Sequence, residues 1–214
     1  MSRLNINSPS VFDDWRSLYE TLTTEEQKQF HNEIELKYPE QAHFHTENVD
    51  WLLSLMKVDN EAKLFEIVEM GGWKGHLANY CINTKGYNIS KWTNMELCEN
   101  AINKSVFNDT RYIAIQPESF TWFENSKLKG DCFISTHVIE HLSNKHFINL
   151  VDYLSENNYN YVLFEAPLYS HDHNWNGYLG THILGFGWES VIREMSVRGF
   201  ELLHSGVDCK IFVK

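Results

Sequence analysis

The run Glu69-Met70-Gly71-Gly72-Trp73-Lys74-Gly75-His76-Leu77-Ala78 gathers the residue types best suited to holding a ligand against backbone. Glycines let a chain turn sharply and let a bound molecule approach the main chain closely. A carboxylate at the preceding strand end accepts hydrogen bonds or opposes a cation beside the turn. The apolar stretch 64–69 reads as a buried strand and the residues after Gly75 as a short helix through Leu77 and Tyr80. Open α/β sheets bind ligands at such strand–helix junctions, beyond the carboxyl ends of their strands. A ligand-binding turn is therefore expected. A dinucleotide site requires Gly-x-Gly-x-x-Gly. Counted from Gly71, positions 73 and 76 are Trp and His, and counted from Gly72, position 74 is Lys, so neither register fits.

Two further groups of residues suit chemistry across from that turn. His137, Glu140 and His141 follow an apolar strand over 131–135. An imidazole with an ordinary pKa of ~6.5 suits proton transfer near neutrality. His141 reads either as such a base or as a hydrogen-bonded structural histidine at a helix start. The segment 166–187 has no clear periodicity and carries Tyr169, His171, His173, Trp175, Tyr178 and His182, with Gly177 and Gly180 to let it move. Long irregular segments in compact domains are usually functional, and these side chains offer aromatic walls with polar tips. His-x-His plus one distant His is a poor zinc pattern, so no metal is expected.

The elements that position these groups follow from periodicity. Val11, Trp15, Leu18, Tyr19 and Leu22 share a helical face; Thr24 with Gln27 suits a capping box for a helix carrying Phe30 and Ile34 and ending before Pro39; Val49, Leu52, Leu53 and Met56 form a third stripe. Residues 1–60 are thus expected to form a helical cap, and 61–214 the binding domain. Further strands are expected within 87–96, at 111–116, 131–135 and 161–164, and as a closing pair at 201–204 and 209–213 joined by Ser205-Gly206. Between them, Phe147, Leu150, Val151 and Leu154 mark one helix after Ser143, and Trp188, Val191, Ile192 and Met195 another, with Gly199 placed to cap its end. Alternating strands and helices imply a mainly parallel, Rossmann-like α/β sheet of seven strands with helices on both faces and a C-terminal antiparallel hairpin.

Composition narrows the partners. A net charge of −11 with scattered Lys and Arg disfavours nucleic acid, which leaves a small molecule. No run approaches the roughly 20 apolar residues of a membrane helix, and the N-terminus lacks a signal-peptide core, so no membrane partner and a cytoplasmic location are expected. The spacing of Cys81, Cys98, Cys132 and Cys209 suits neither zinc nor a disulfide framework. Oligomeric state is not encoded legibly.

The acid-x-Gly…Gly turn, with Glu69, Gly71 and Gly75 in place, is similar to the first motif of class I S-adenosylmethionine-dependent methyltransferases. The stretch Ser135-Thr136-His137-Val138-Ile139-Glu140-His141-Leu142 resembles the family's fourth motif, and the order of elements from about residue 60 onward resembles its layout. The resemblance implies S-adenosylmethionine held by Glu69, Gly71, Gly72, Trp73, Gly75 and Ser135. It also implies a ribose-binding acid after the second strand, for which Glu96 is favoured over Asn88. For adenine it implies an acid or amide among Gln116 and Glu118, with Phe120 and Trp122 available for stacking. Catalytic roles would fall on His137, Glu140 and His141, and acceptor contacts on Tyr169, His171, His173, Trp175, Tyr178 and His182. Trp73 stands where the family commonly has a middle glycine, which predicts a less open turn. The implied activity is methyl transfer to an oxygen or nitrogen of a small molecule. A non-catalytic nucleoside-binding subunit, and more remotely an NAD-dependent oxidoreductase, are the rival readings.

Overall fold

The computed structural model describes residues 22–37, 46–59, 63–171 and 184–214. The expected stripe from Val11 to Tyr19, the side chain of Ile34, and His173, Trp175, Tyr178 and His182 lie outside the described residues. Helices α1 (Thr24–Lys37) and α2 (Thr46–Asp59) precede β1 (Phe65–Met70) and the short α3 (His76–Asn79). Next come β2 (Ile89–Met95), α4 (Glu99–Asn103), β3 (Tyr112–Ile115) and β4 (Cys132–Thr136). The chain continues through α5 (Asn144–Glu156), β5 (Tyr161–Glu165), α6 (Trp188–Ser196), β6 (Glu201–Ser205) and β7 (Cys209–Val213).

The seven strands form one sheet in the order β3-β2-β1-β4-β5-β7-β6. Strands β1 to β5 run parallel, and β7 lies antiparallel between β5 and β6. The order reverses between β1 and β4, so the carboxyl ends of those two strands bracket a cleft. Buried residues alternate along the strands toward two apolar layers. Val68, Met70, Phe133, Val162 and Phe164 face α5 and α6, whose Phe147, Leu150, Val151, Leu154, Trp188, Val191 and Met195 complete one core. Ile67, Trp92, Cys132, Leu163 and Ile211 face the other layer, where Val49, Leu52, Leu53 and Met56 of α2 pack with Leu77 and Ala78 of α3. Each fully buried Leu contributes about 2 kcal/mol. The sheet and α2 therefore share one continuous core.

Local signals start and stop these helices. Ser143 caps α5 by accepting from His146 N at 3.2 Å. Gly199, at φ 86°, ends α6 while Phe200 N returns to Met195 O at 3.1 Å. The capping box of α1 lies one residue before its expected place. Thr23 N donates to Glu26 Oε2 at 2.9 Å, and Glu26 N donates back to Thr23 Oγ1 at 3.3 Å. A charged Glu26 at the positive helix end outcompetes the neutral Gln27 for this role.

Candidate cofactor cleft and its neighbours

The glycine turn owes its shape to two side chains of β2 and the residue that follows it. Asn94 is fully buried; its Oδ1 accepts from Gly72 N at 2.8 Å, while Nδ2 donates to Trp73 O at 3.2 Å and to the Tyr112 hydroxyl at 3.0 Å. Glu96 accepts from Trp73 N at 2.8 Å through Oε2 and from Cys98 N at 2.8 Å through Oε1. Burial pushes the Glu96 carboxyl above the ordinary range, against the pull of those backbone amides. Gly71, Trp73 and Gly75 all adopt left-handed backbone, at φ 76°, 50° and 80°. Trp73 thus follows the path of a glycine, a conformation that costs a residue with a side chain roughly 1–2 kcal/mol. Its N–H held by Glu96 and its carbonyl held by Asn94 offset that cost. Trp73 therefore keeps a glycine-like backbone in the turn.

Space around the turn is fully used. A Cβ on Gly72 would lie 2.3 Å from Glu69 Oε2 and 2.7 Å from Asn94 Oδ1, and one on Gly71 would lie 2.3 Å from a methyl of Val138. Glu69 is directed beneath Gly72, where its Oε2 accepts from Trp92 Nε1 at 2.7 Å. Burial pushes its carboxyl up to about 7, with Glu96 adding to the rise and the Trp92 bond opposing it. Glu69 supports the turn from below. Asn88 sits at the amino end of β2, where its carbonyl accepts from Phe65 N, far along the strand from the turn. Glu96, at the carboxyl end, is the acid beside the glycines.

The loop after β3 divides its candidates. Gln116 Nε2 donates to Leu97 O at 2.9 Å, next to Glu96, while Glu118 is exposed. Phe120 is buried beside His31 of α1, their rings 6.5 Å apart and nearly parallel. Trp122 is not available for stacking on a ligand in this arrangement. Its ring packs edge-on against Phe123 and Tyr153 within the core, because α5 buries the face on which it lies.

Beyond β4 the chain enters the second chemical group. His137 has φ 55° and donates its N–H to Glu165 O at 2.7 Å. Its Nδ1 lies 3.6 Å from Glu140 Oε1 and its Nε2 lies 3.8 Å from Glu165 Oε1. The Glu140 carboxylate beside it raises the imidazole above its ordinary value against the effect of burial. Glu165, which sequence reasoning did not single out, is fully buried and also accepts from Asn48 Nδ2 of α2 at 2.9 Å. The available signal was a charge ending the apolar run Tyr161-Val162-Leu163-Phe164. His141 presents its ring edge-on to His31 at 6.4 Å. Ser135 Oγ and Trp73 Nε1 are buried without a hydrogen-bond partner among the described residues.

The segment 166–187 is closed at its base. Trp188 N donates to Tyr169 O at 2.7 Å, and Glu189 N to Ser170 O at 3.0 Å. The second foot reaches the β4 loop, with Leu184 N donating to Glu140 O at 3.1 Å and Gly185 N to Asn144 Oδ1 at 2.8 Å. The segment is therefore anchored beside Glu140. Tyr169 is exposed, and His171 turns outward to pair with Glu189 at 3.0 Å. Among the described residues, no three His, Cys, Asp or Glu side chains are arranged to hold a metal ion, and no helix is long and apolar enough to cross a membrane.

The sheet order is that of the class I S-adenosylmethionine-dependent methyltransferase fold. Solved structures with this fold include human N-acetylserotonin methyltransferase in complex with SAM, at 13% identity and a TM-score of 0.57, covering 100% of this chain and 63% of that one. The magnesium protoporphyrin IX methyltransferase of Synechocystis, with bound SAH, matches at 11% identity and a TM-score of 0.56 over 94% of this chain and 97% of that one. CalO1, a methyltransferase of calicheamicin biosynthesis in its SAH-bound form, matches at 8% identity and a TM-score of 0.56 over 97% and 70%. This chain spans less than two thirds of the human enzyme. No protein-family model and no curated protein sequence matches it.

Proposed function

We propose that the chain transfers a methyl group from S-adenosylmethionine to an oxygen or nitrogen of a small-molecule acceptor. The observation that carries the reading is the left-handed turn through Gly71, Trp73 and Gly75, braced by Asn94 and Glu96 at the switch point of a methyltransferase fold. The residues present fit this cofactor. Glu96 retains acceptor capacity for a ribose hydroxyl, since its carboxylate has four lone-pair sites and the backbone amides of Trp73, Cys98 and Leu97 use three. Ser135 Oγ and Trp73 Nε1 add two buried polar atoms with bonding capacity in hand. When bound, S-adenosylmethionine supplies a methyl made electrophilic by its sulfonium.

The task of the chain's own residues is then to align an acceptor, exclude water and hold a proton. His137, Glu140 and His141 stand at the carboxyl end of β4, and Glu140 and Glu165 flank the two ring nitrogens of His137. That arrangement supports a proton held on the imidazole. The segment 166–187, anchored to Glu140 and Asn144, is the acceptor-binding wall, and of the N-terminal helices α1 is the cap beside the cleft while α2 packs into the core of the sheet. A small acidic protein in a cytoplasmic setting, with neither nucleic acid nor membrane as partner, is consistent with the charge of −11.

Calorimetry with S-adenosylmethionine and with NAD tests the reading. Binding of the first in the micromolar range and none of the second is expected. Absence of S-adenosylmethionine binding at millimolar concentration sinks the proposal. Labelled methyl transfer into the small-molecule fraction of a cell extract then separates an enzyme from a non-catalytic binder.

A further inference from the structure

Helix α4 begins with an unusual cap. Cys98 occupies the N-cap position, and its thiol accepts only weakly, from Ala101 N at 3.4 Å. Ser, Thr, Asp or Asn would normally supply an oxygen there. The oxygen comes instead from another helix. Asn32 Oδ1 of α1 accepts from Asn100 N at 3.1 Å and from Cys98 Sγ at 3.2 Å. Cys98 N in turn donates to Glu96 Oε1, whose other oxygen holds Trp73 N. A continuous series of hydrogen bonds thus runs from α1 through the start of α4 and Glu96 into the glycine turn.

One residue before Asn32, His31 packs between Phe120 of the loop after β3 and His141 of the loop after β4. Burial, with His141 adding to it, pushes the imidazole down to about 3, so the ring stays neutral at physiological pH. Phe30 beside it is fully buried. The face of α1 that carries Asn32 is wet: Glu25, Lys28, Gln29 and Asn32 itself line, with Glu99 and Gln116, an open polar groove of about 330 Å³. The helix is therefore held at the cleft by a few specific contacts around positions 30–32, with a solvated seam alongside.

We infer that Asn32 is a positioning residue for the cofactor, and that docking of α1 and occupancy of the cleft are linked through Asn32, Cys98 and Glu96. This rests on the methyltransferase reading above. Undocking α1 leaves Asn100 N without its acceptor and loosens the turn of chain that holds Cys98 N against Glu96. A ligand on Glu96 favours the docked helix by the same factor that the docked helix favours the ligand.

The test uses the full chain and S-adenosylhomocysteine as probe. Asn32→Ala is expected to weaken its affinity about fivefold, the worth of one neutral hydrogen bond, and to raise its dissociation rate. Asn32→Asp keeps an oxygen for both donors and places charge at a helix N-terminus, so affinity returns to within about twofold of wild type. Glu33→Ala, on the same helix, leaves it unchanged. Hydrogen exchange over 24–37 slows on binding in wild type and slows less in Asn32→Ala. Should Asn32→Ala fail to fold, Asn32→Ser carries the comparison, its hydroxyl being too short to reach both donors. Wild-type affinity in Asn32→Ala or its Ser substitute, or an equal loss in Asn32→Asp, overturns the linkage alone. Absence of binding by wild type overturns the methyltransferase reading and the linkage with it.

Discussion

Replacing Glu69 by Gln removes one titrating group from beneath the turn while keeping an oxygen for Trp92 Nε1. The folded chain holds the Glu69 carboxyl at about 7, against an ordinary value of 4.5. At about 1.4 kcal/mol per pH unit, that rise corresponds to about 3 kcal/mol. The folded-state pKa is raised, so protonated Glu69 contributes its stability fully below about pH 4.5. That contribution is lost as pH climbs through about 7 and stays lost above it. Wild type and Glu69→Gln should therefore unfold at similar denaturant concentrations near pH 5. Above about pH 7.5 the variant should be the more stable by about 3 kcal/mol. Denaturant melts from about pH 5 to about pH 8.5 provide the assay, and subtracting the two curves cancels the titrating groups that are not coupled to Glu69, leaving its own titration together with its coupling to Glu96. A difference that stays flat with pH, or that favours wild type at high pH, refutes the placement of a buried carboxyl under Gly72.

Gly72→Ala drives a methyl into Glu69 Oε2 and Asn94 Oδ1; a loss of at least about 2 kcal/mol in stability, with loss of cofactor affinity in calorimetry, is expected. His137→Asn keeps a residue tolerant of left-handed backbone but removes the imidazole whose pKa Glu140 raises. A raised histidine stabilises most at low pH and loses that contribution as pH rises through its folded value, so the variant should lose more stability near pH 5.5 than near pH 8.5 in the same melts.

The layout was legible because its signals are periodic. Phe147, Leu150, Val151 and Leu154 fall on one helical face, and Tyr161 to Phe164 read as strand, wherever the helix and strand go in space. Glu96 was legible as an acid ending a strand, and its place beside the turn follows from the direction of β2. Asn94, which shapes the turn more than any other side chain, was not. An amide one residue before a strand end has no signature in composition or spacing, and its role exists only once β1 and β2 lie side by side. Trp73 shows the converse. Its identity argued for a departure from the glycine pattern, yet partners on both sides of its peptide unit impose the glycine conformation. Asn32 was equally hidden, since a cap donated by a distant helix leaves no local pattern. Trp122 failed as a stacking candidate because spacing alone does not tell a cleft aromatic from a core one.

The paired feet of the segment 166–187 separate its base from its contents. The bonds from Trp188 and Glu189 back to Tyr169 and Ser170 close the loop independently of residues 172–183. Doubling the length of a loop closed in this way costs only about 0.6 kcal/mol. The closure made by the feet is therefore little affected by the number of residues between them. Under the function proposed above, exchanging the segment would change the acceptor while the paired feet at Tyr169–Ser170 and Trp188–Glu189 stay in place.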